Sequence, residues 1–195
     1  EDLPAGPAMA NRGADIVREL VARPRIRVMT ICNTGALAAV ERGTALGVVG
    51  ELHARDLLEE ALALETRPLL QGARLTAWEL EREGIPCTLI TDSMAGFLMQ
   101  QGKIDLVITG ADRIAANGDT GAVLGSRAIA LQAAATPRGP ERTRPRVIVT
   151  GLSQAIDPAT RDGAAIPVEL RPARDQTAFL AGLSIRVADA LVPAS

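Results

Sequence analysis

The chain has 195 residues, of which 47% are hydrophobic and only 2% aromatic, so it is long enough to bury one sizeable core of Ala, Leu, Val and Ile. Its net charge of −2 argues against a nucleic-acid-binding face, and the lack of an apolar run of 18 residues argues against a membrane span. Two cysteines and one histidine cannot form a disulfide framework or a zinc site, and no signal-peptide pattern is present, so we expect a cytoplasmic protein in a reducing setting.

Apolar runs and amphipathic stretches alternate along the chain, whereas residues 1–12 are small and polar and predict no element. In chain order the patterns predict a helix over 15–21, a strand over 26–31, a helix over 43–55, a strand over 61–65, a helix over 70–83, a strand over 87–91, a helix over 93–101, a strand over 104–109, a helix over 121–135 and a strand over 146–151. Residues 136–145 are typical of a loop. Near the end of the chain, 166–170 and 185–191 are apolar enough to pack, but Pro167 argues against a central strand.

This alternation indicates an α/β fold. Strand and helix repeat at least four times, at a spacing that implies parallel strands joined by right-handed helical crossovers. We therefore predict a doubly wound, mostly parallel, Rossmann-like sheet with helices on both faces, in a single domain over 1–195. Ligands of such open sheets bind outside the carboxyl ends of the strands, so the residues that follow each strand are the first candidates for a site.

A polar turn from Gly110 to Thr120 follows the strand predicted at 104–109. Its first carboxylate, Asp112, lies at a strand end, where a ligand would bind. A simpler interpretation is that Asp112 caps the next helix or pairs with Arg113. The turn alone does not distinguish a functional carboxylate from a structural one.

A second strand end carries Cys32, followed by Asn33, Thr34 and Gly35. A thiol in this position would face the cleft, where the N-terminus of a helix lowers a thiol pKa. The alternative is that Cys32 is a small buried hydrophobic residue, as free cysteines usually are. Cys87 opens an apolar strand, and we predict only a structural role for it.

The third candidate segment surrounds the start of the helix predicted at 70–83. Arg67, Gln71 and Arg74 could bind an anionic, hydroxylated ligand there, because a helix N-terminus also favours phosphate. Alternatively, Arg67 pairs with Glu65 at a solvated helix start. The chain has no Gly-x-Gly-x-x-Gly and no Walker A sequence, which argues against dinucleotide or nucleoside triphosphate binding.

Five blocks in series carry a family resemblance. They are Ile-Cys-Asn-Thr-Gly-Ala-Leu-Ala (31–38), Gly-Thr-Ala-Leu-Gly-Val-Val (43–49), Glu-Thr-Arg-Pro-Leu-Leu-Gln-Gly-Ala-Arg-Leu-Thr-Ala-Trp-Glu-Leu (65–80), Asp-Ser-Met-Ala-Gly (92–96) and Gly-Ala-Asp-Arg-Ile-Ala-Ala-Asn-Gly-Asp-Thr (110–120). The chain resembles the methylthioribose-1-phosphate isomerases over residues 11–170. That family lies within the superfamily of eukaryotic initiation factor 2B-like proteins and ribose-1,5-bisphosphate isomerases.

The resemblance implies an aldose–ketose isomerase that converts 5-methylthioribose 1-phosphate to 5-methylthioribulose 1-phosphate in methionine salvage. It implies that Asp112 donates a proton to the ring oxygen and that Cys32 stabilises the transition state or assists proton transfer. It implies no metal or organic cofactor, a sugar phosphate as the ligand and a homodimer, with no nucleic-acid or membrane partner. The candidate substrate-binding residues are Gln71, Asn33, Thr34, Gly35, Arg67 and Asn117.

The chain departs from the family pattern in two ways. The family has a separate N-terminal helical domain whose Arg residues help to hold the phosphate, and we expect that domain to be absent from this chain. The family also has Asn-Lys where this chain has Ala122-Val123, and losing a charge-assisted phosphate contact commonly costs ~1.5–3 kcal/mol. These departures leave two alternatives open: a non-catalytic binding or regulatory member of the superfamily, or an isomerase of another pentose phosphate.

Overall fold

The computed structural model of the chain describes residues 5–39, 42–137, 144–168, 170–172 and 192–193. In chain order its elements are α1 (Ala5–Leu20), β1 (Ile26–Thr30), α2 (Ala45–Ala54), β2 (Leu58–Leu64), a π-helical turn (Gly72–Thr76) that continues into α3 (Ala77–Arg82), β3 (Cys87–Ile90), a 3-10 turn (Asp92–Met94), α4 (Ala95–Gln100), β4 (Leu106–Gly110), β5 (Arg113–Ala115), β6 (Thr120–Gly121), α5 (Ser126–Ala135), β7 (Arg146–Thr150), a 3-10 turn (Ser153–Ala155), β8 (Ile156–Asp157), a 3-10 turn (Gly163–Ala165), β9 (Leu170–Arg171) and β10 (Val192–Pro193).

Five parallel strands form the central sheet in the order β3-β2-β1-β4-β7. Val28 of β1 pairs with Ala61 of β2 on one side and with Leu106 of β4 on the other. The chain therefore builds the sheet outward from β1 in one direction and then crosses to the other side of β1. That reversal of strand order leaves a crevice at the carboxyl ends of β1 and β4. The predicted doubly wound, parallel α/β fold is confirmed.

The core consists of two apolar layers, one on each face of the sheet. Side chains of β1 alternate between them, because successive residues of a strand point to opposite faces. Ile26 and Val28 pack in the layer that includes Val17 of α1 and Leu52 of α2. Met29 packs in the other layer, with side chains of α4 and α5. Because β1 places apolar side chains on both faces of the sheet, helices must cover both faces, as predicted.

The first helix differs most from its prediction. It begins at Ala5 rather than at residue 15, so most of the segment predicted to be irregular is helical. Ala10 and Ala14 are buried on its inner face, and a Cβ at Gly13 would crowd the side chain of Val48 in α2. The inner face of this helix is amphipathic but built largely from small residues of low hydrophobicity, so a search for runs of large apolar side chains misses its first half.

The turn after β4 also differs from its prediction. Residues 113–121 form a small hairpin of β5 and β6, in which Ile114 pairs with Thr120. Helix α5 therefore starts at Ser126, not at residue 121, and Gly125 precedes it with a φ of 103° that favours glycine. The hairpin extends the polar turn beyond the end of β4, next to the crevice.

The remaining differences are smaller. Strand β2 starts at Leu58 rather than at residue 61, and the helix predicted at 70–83 begins as the π-helical turn. Among the described residues of the apolar segment at 166–170, Leu170 belongs to a strand, in a two-residue antiparallel pairing of β9 with β10. The apolar segment at 185–191 lies outside the described residues. Among those residues, no helix has the length and apolar character needed to cross a bilayer.

Candidate active site

A cavity of about 330 Å³ lies at the carboxyl ends of β1 and β4. Cys32, which follows β1, and Asp112, which follows β4, both line it. The sequence-based expectation that these two strand ends face one crevice therefore agrees with the geometry. The cavity is lined by Cys32, Asn33, Thr34, Ala38, Ala39, Thr44, Thr109, Gly110, Ala111, Asp112, Ala122, Val123, Leu152, Gln154 and Ala155.

Cys32 is held by hydrogen bonds on both sides of its peptide backbone. Its N–H donates to Thr66 Oγ1 at 2.9 Å, and its carbonyl accepts from Thr76 Oγ1 at 2.6 Å. Between these bonds the backbone has a φ of 73°, in the left-handed region that non-glycine residues rarely adopt. Both threonines are buried, so the surrounding protein fixes the backbone of Cys32 and with it the direction of the thiol.

The electrostatics of Cys32 oppose the expected low pKa. The pKa of the thiol is raised to about 11, chiefly by burial and to a smaller extent by the negative charge of Asp112, while the backbone N–H of Asn33 offsets part of the rise. The prediction of a lowered thiol pKa is wrong, because the effect of burial exceeds every influence that lowers the pKa. Cys32 is therefore a neutral thiol at physiological pH.

Asp112 lies at the mouth of the cavity. Its side chain keeps contact with solvent, yet enough protein surrounds the carboxyl group that desolvation raises its pKa. Arg113 does not neutralise it, since that guanidinium pairs with Asp157 at 2.6 Å. Nor does Asp112 cap the next helix, because α5 begins only at Ser126 with Gly125 as its N-cap, and the Asp112 N–H donates to the carbonyl of Gly121 in the hairpin. Both structural interpretations of this carboxylate are thus wrong.

The loop after Cys32 forms one wall of the cavity. Thr34 lies against the end of β4, where a Cβ at Gly110 would come within 2.8 Å of Thr34 Cγ2. Asn33 lines the cavity but directs its amide nitrogen to Glu79, and Gly35 is buried behind it. Of these three candidates, Thr34 and Asn33 reach the cavity, whereas Gly35 supports the wall.

The other three predicted substrate-binding residues do not line this cavity. Arg67 lines a separate, smaller cavity of about 190 Å³, and its N–H donates to Asp92 Oδ2 at 2.7 Å. Gln71 is half-buried just before the π-helical turn. Asn117 is exposed in the hairpin turn, where its amide donates to Asp119 at 3.0 Å.

One wall of the cavity is apolar. Ala122 and Val123 line it, where the family resemblance implies Asn-Lys, and no Lys or Arg lines it among the described residues. Within the same described residues, no group of His, Cys, Asp and Glu could hold a metal ion. Two lining residues had no signal in the sequence: Thr109, which lies within a strand, and Gln154, which follows β7 where the pattern weakens.

Comparisons with known proteins agree with the geometry. A model of the Initiation factor 2 subunit family matches residues 8–185. The chain is 51% identical over 170 residues to a methylthioribose-1-phosphate isomerase of Anaeromyxobacter sp. (strain K), and 48% identical over 165 residues to one of Syntrophus aciditrophicus (strain SB). These matches cover 87% and 85% of this chain but only 47% and 43% of the relatives, so the chain spans about half the length of the curated relatives it matches.

Two solved structures share the fold at similar identity. The 5-methylthioribose 1-phosphate isomerase from Pyrococcus horikoshii OT3 matches with a TM-score of 0.82 and 34% identity, over 95% of this chain and 49% of that one. The translation initiation factor eIF-2B, subunit delta, from A. fulgidus matches with a TM-score of 0.76 and 35% identity, over 96% of this chain and 53% of that one. The fold alone therefore does not separate an isomerase from a factor subunit.

Proposed function

Because the chain belongs to the Initiation factor 2 subunit family, we propose that it carries the catalytic half of an aldose–ketose isomerase acting on 5-methylthioribose 1-phosphate. The observation that carries this proposal is the shared cavity of Cys32 and Asp112 at the reversal of strand order. Two groups of raised pKa face the same space there, one of them a carboxylic acid. Perturbed titratable groups in a cleft are the usual mark of acid–base chemistry.

The proposed reaction opens the sugar ring by acid catalysis. Asp112, whose raised pKa keeps a larger share of the carboxyl protonated, donates its proton to the ring oxygen as the bond from that oxygen to C1 breaks. A hydride then moves from C2 to C1 while the C2 hydroxyl loses a proton, which restores the proton balance and leaves a ketone at C2. The phosphate stays on C1 throughout.

Cys32 is suited to this hydride route. At a pKa of about 11 it is a neutral thiol, which is a poor base for removing a proton from carbon. The sulfur of the neutral thiol is polarisable, so it can stabilise the positive charge that develops at C1 of the sugar as the ring opens. The alternative route, in which a base removes the C2 proton, would need another group, and Asp112 after its first proton transfer is the carboxylate available in the cavity.

The phosphate of the substrate needs cationic or hydrogen-bond-donating partners. No cation lines the cavity among the described residues, although Thr34 and Thr44 offer hydroxyl groups. We propose that the cations for the phosphate come from the part of the longer relatives that this chain does not match. We further propose a cytoplasmic homodimer in methionine salvage, with the sugar phosphate rather than nucleic acid or a membrane as its partner.

A second candidate, a non-catalytic binding or regulatory role, is favoured by two observations. The solved eIF-2B delta subunit is as similar in sequence to this chain as the solved isomerase, at 35% and 34% identity. The apolar pair Ala122-Val123 also lies in the cavity wall, where it gives a phosphate no charge. An isomerase of a different pentose phosphate lies between the two candidates.

A turnover assay tests the proposal. We expect the chain to convert 5-methylthioribose 1-phosphate to the ketose, and Asp112→Asn to lower kcat about 10²- to 10⁴-fold, as loss of a general acid does. Cys32→Ser should also lower kcat, whereas the matched Cys87→Ser, which changes a thiol outside the cavity, should retain it. The assay includes a polypeptide that supplies the half of the relatives that this chain does not match, because the phosphate cations are proposed to lie there. The absence of wild-type turnover in that mixture, at substrate well above about 1 mM, the upper end of ordinary KM values, would favour the non-catalytic role.

A further inference from the structure

Glu79 is a buried carboxylate beneath the loop that follows Cys32. The residue lies on α3 and is only 6% exposed. Its Oε1 accepts from Asn33 Nδ2 and its Oε2 accepts from the N–H of Ala36, both at 2.7 Å. Gly35 passes directly over the carboxylate, so a Cβ there would overlap Glu79 Oε2. Both carboxylate oxygens thus bind a loop more than 40 residues away in the chain.

The same helical segment also holds the start of the loop. Thr76, one turn before Glu79, donates its hydroxyl to the Cys32 carbonyl at 2.6 Å. Cys32 adopts its left-handed backbone there, a strained conformation that persists only where the surroundings hold it. The direction of the thiol therefore depends on support from Thr76 at one end of the loop and Glu79 at the other.

A purely packing role would not need a carboxylate at this position. Burying a carboxylate is costly, and apolar residues of similar volume usually replace buried charges without loss of stability. We propose that Glu79 is a positioning residue, which holds the Asn33–Ala36 loop so that the Cys32 thiol faces the cavity. The kinetic consequence of this inference rests on the proposed isomerase function, whereas the consequence for the thiol does not.

The test is Glu79→Gln in a Cys87→Ala background, where Cys32 is the single thiol. The glutamine can accept only one of the two hydrogen bonds and turns an N–H toward the other donor. The loop should lift and water should reach Cys32. Burial is the largest cause of the raised thiol pKa and exceeds the lowering by the Asn33 N–H, so the pKa should fall from about 11 even where that hydrogen bond is lost. Each unit of that fall raises the thiolate fraction about tenfold at pH ~8, so the pH profile of alkylation by iodoacetamide reports it.

Turnover of 5-methylthioribose 1-phosphate is the second readout. We expect kcat to fall about 10- to 100-fold with KM largely retained, because a charge-assisted hydrogen bond to the loop is lost while the phosphate contacts are not. The matched control is Glu81→Gln, an exposed carboxylate on the same helix. It should leave both the alkylation profile and kcat unchanged.

A second variant keeps the test decisive if Glu79→Gln folds poorly. Gly35→Ala retains Glu79 but forces a Cβ into its carboxylate, and it should shift the alkylation profile in the same direction. An unshifted profile in either folded variant would overturn the inference, even if the unfolding temperature or turnover fell, since that is what a merely structural role predicts. A shifted profile without any wild-type turnover would support the positioning of the thiol while removing the isomerase proposal.

Discussion

Gly72 marks the closest approach of the π-helical turn to strand β2. A Cβ there would overlap the carbonyl oxygen of Leu64 and would lie 2.9 Å from the carbonyl carbon. Both atoms belong to the backbone of a buried strand, so no side-chain rotation can relieve the contact. We therefore expect Gly72→Ala to destabilise the fold by about 3 kcal/mol, the upper end of the ~1–3 kcal/mol typical of overpacked cores.

Thermal unfolding followed by circular dichroism measures this loss. For a chain of about 200 residues, ~3 kcal/mol corresponds to a fall in Tm of roughly 6–12 °C. The control is Gly50→Ala in α2, where a Cβ would meet only Glu83 Oε2 at 3.6 Å and Ile85 Cδ1 at 4.0 Å. Alanine has the higher helix propensity, so that variant should gain up to about 1 kcal/mol. A Gly72→Ala protein with the wild-type Tm would refute this account of the turn.

Three further predictions concern charges. Asp112→Asn should lower the pKa of the Cys32 thiol below about 11 but keep it above the ordinary value, since burial is the larger cause; alkylation against pH measures this. Hydrogen bonding from the Thr160 hydroxyl, with Arg113 nearby, lowers the pKa of Asp157. The contribution of Asp157 to stability is therefore present above pH 3.8 and lost as the pH falls through the folded pKa. The free energy of unfolding in urea should vary less with pH for Asp157→Asn than for the wild type in that acid range. Val123→Lys should lower KM for the sugar phosphate about 10- to 100-fold by returning a cation to the cavity wall, whereas an unchanged KM would mean that the phosphate lies elsewhere.

The strands are the part of the fold that the sequence predicts best. Strand β1 was expected over 26–31 and spans Ile26–Thr30, because a short apolar run between polar turns has few other conformations in which to be buried. The first half of helix α1 was not predicted, because its buried residues there are Gly6 and Ala10, which have little hydrophobicity of their own. Helix α5 starts five residues late because an irregular stretch over 122–125, which ends at Gly125 with a φ of 103°, separates it from the hairpin of β5 and β6.

The sequence likewise predicts some residues of the site and misses others. Cys32 and Asp112 could be brought together from the sequence because parallel strands end at one edge of the sheet, so strand order alone determines which turns are neighbours. Arg67 also follows a strand, yet it lines a different cavity, since β2 lies on the far side of β1 from β4. The contact of Glu79 with the loop after Cys32 could not be predicted, because no local sequence pattern indicates which carboxylate will be buried and bind a distant loop.

The left-handed backbone of Cys32 also limits which residues can replace it without strain. Branching at Cβ makes such a conformation uncommon, and Thr66, which adopts it with a φ of 62°, is held there by hydrogen bonds from its backbone and its hydroxyl. Thr or Val in place of Cys32 would need comparable support, whereas the unbranched Ser would not. An exchange of this sulfur for a hydroxyl therefore costs least with serine.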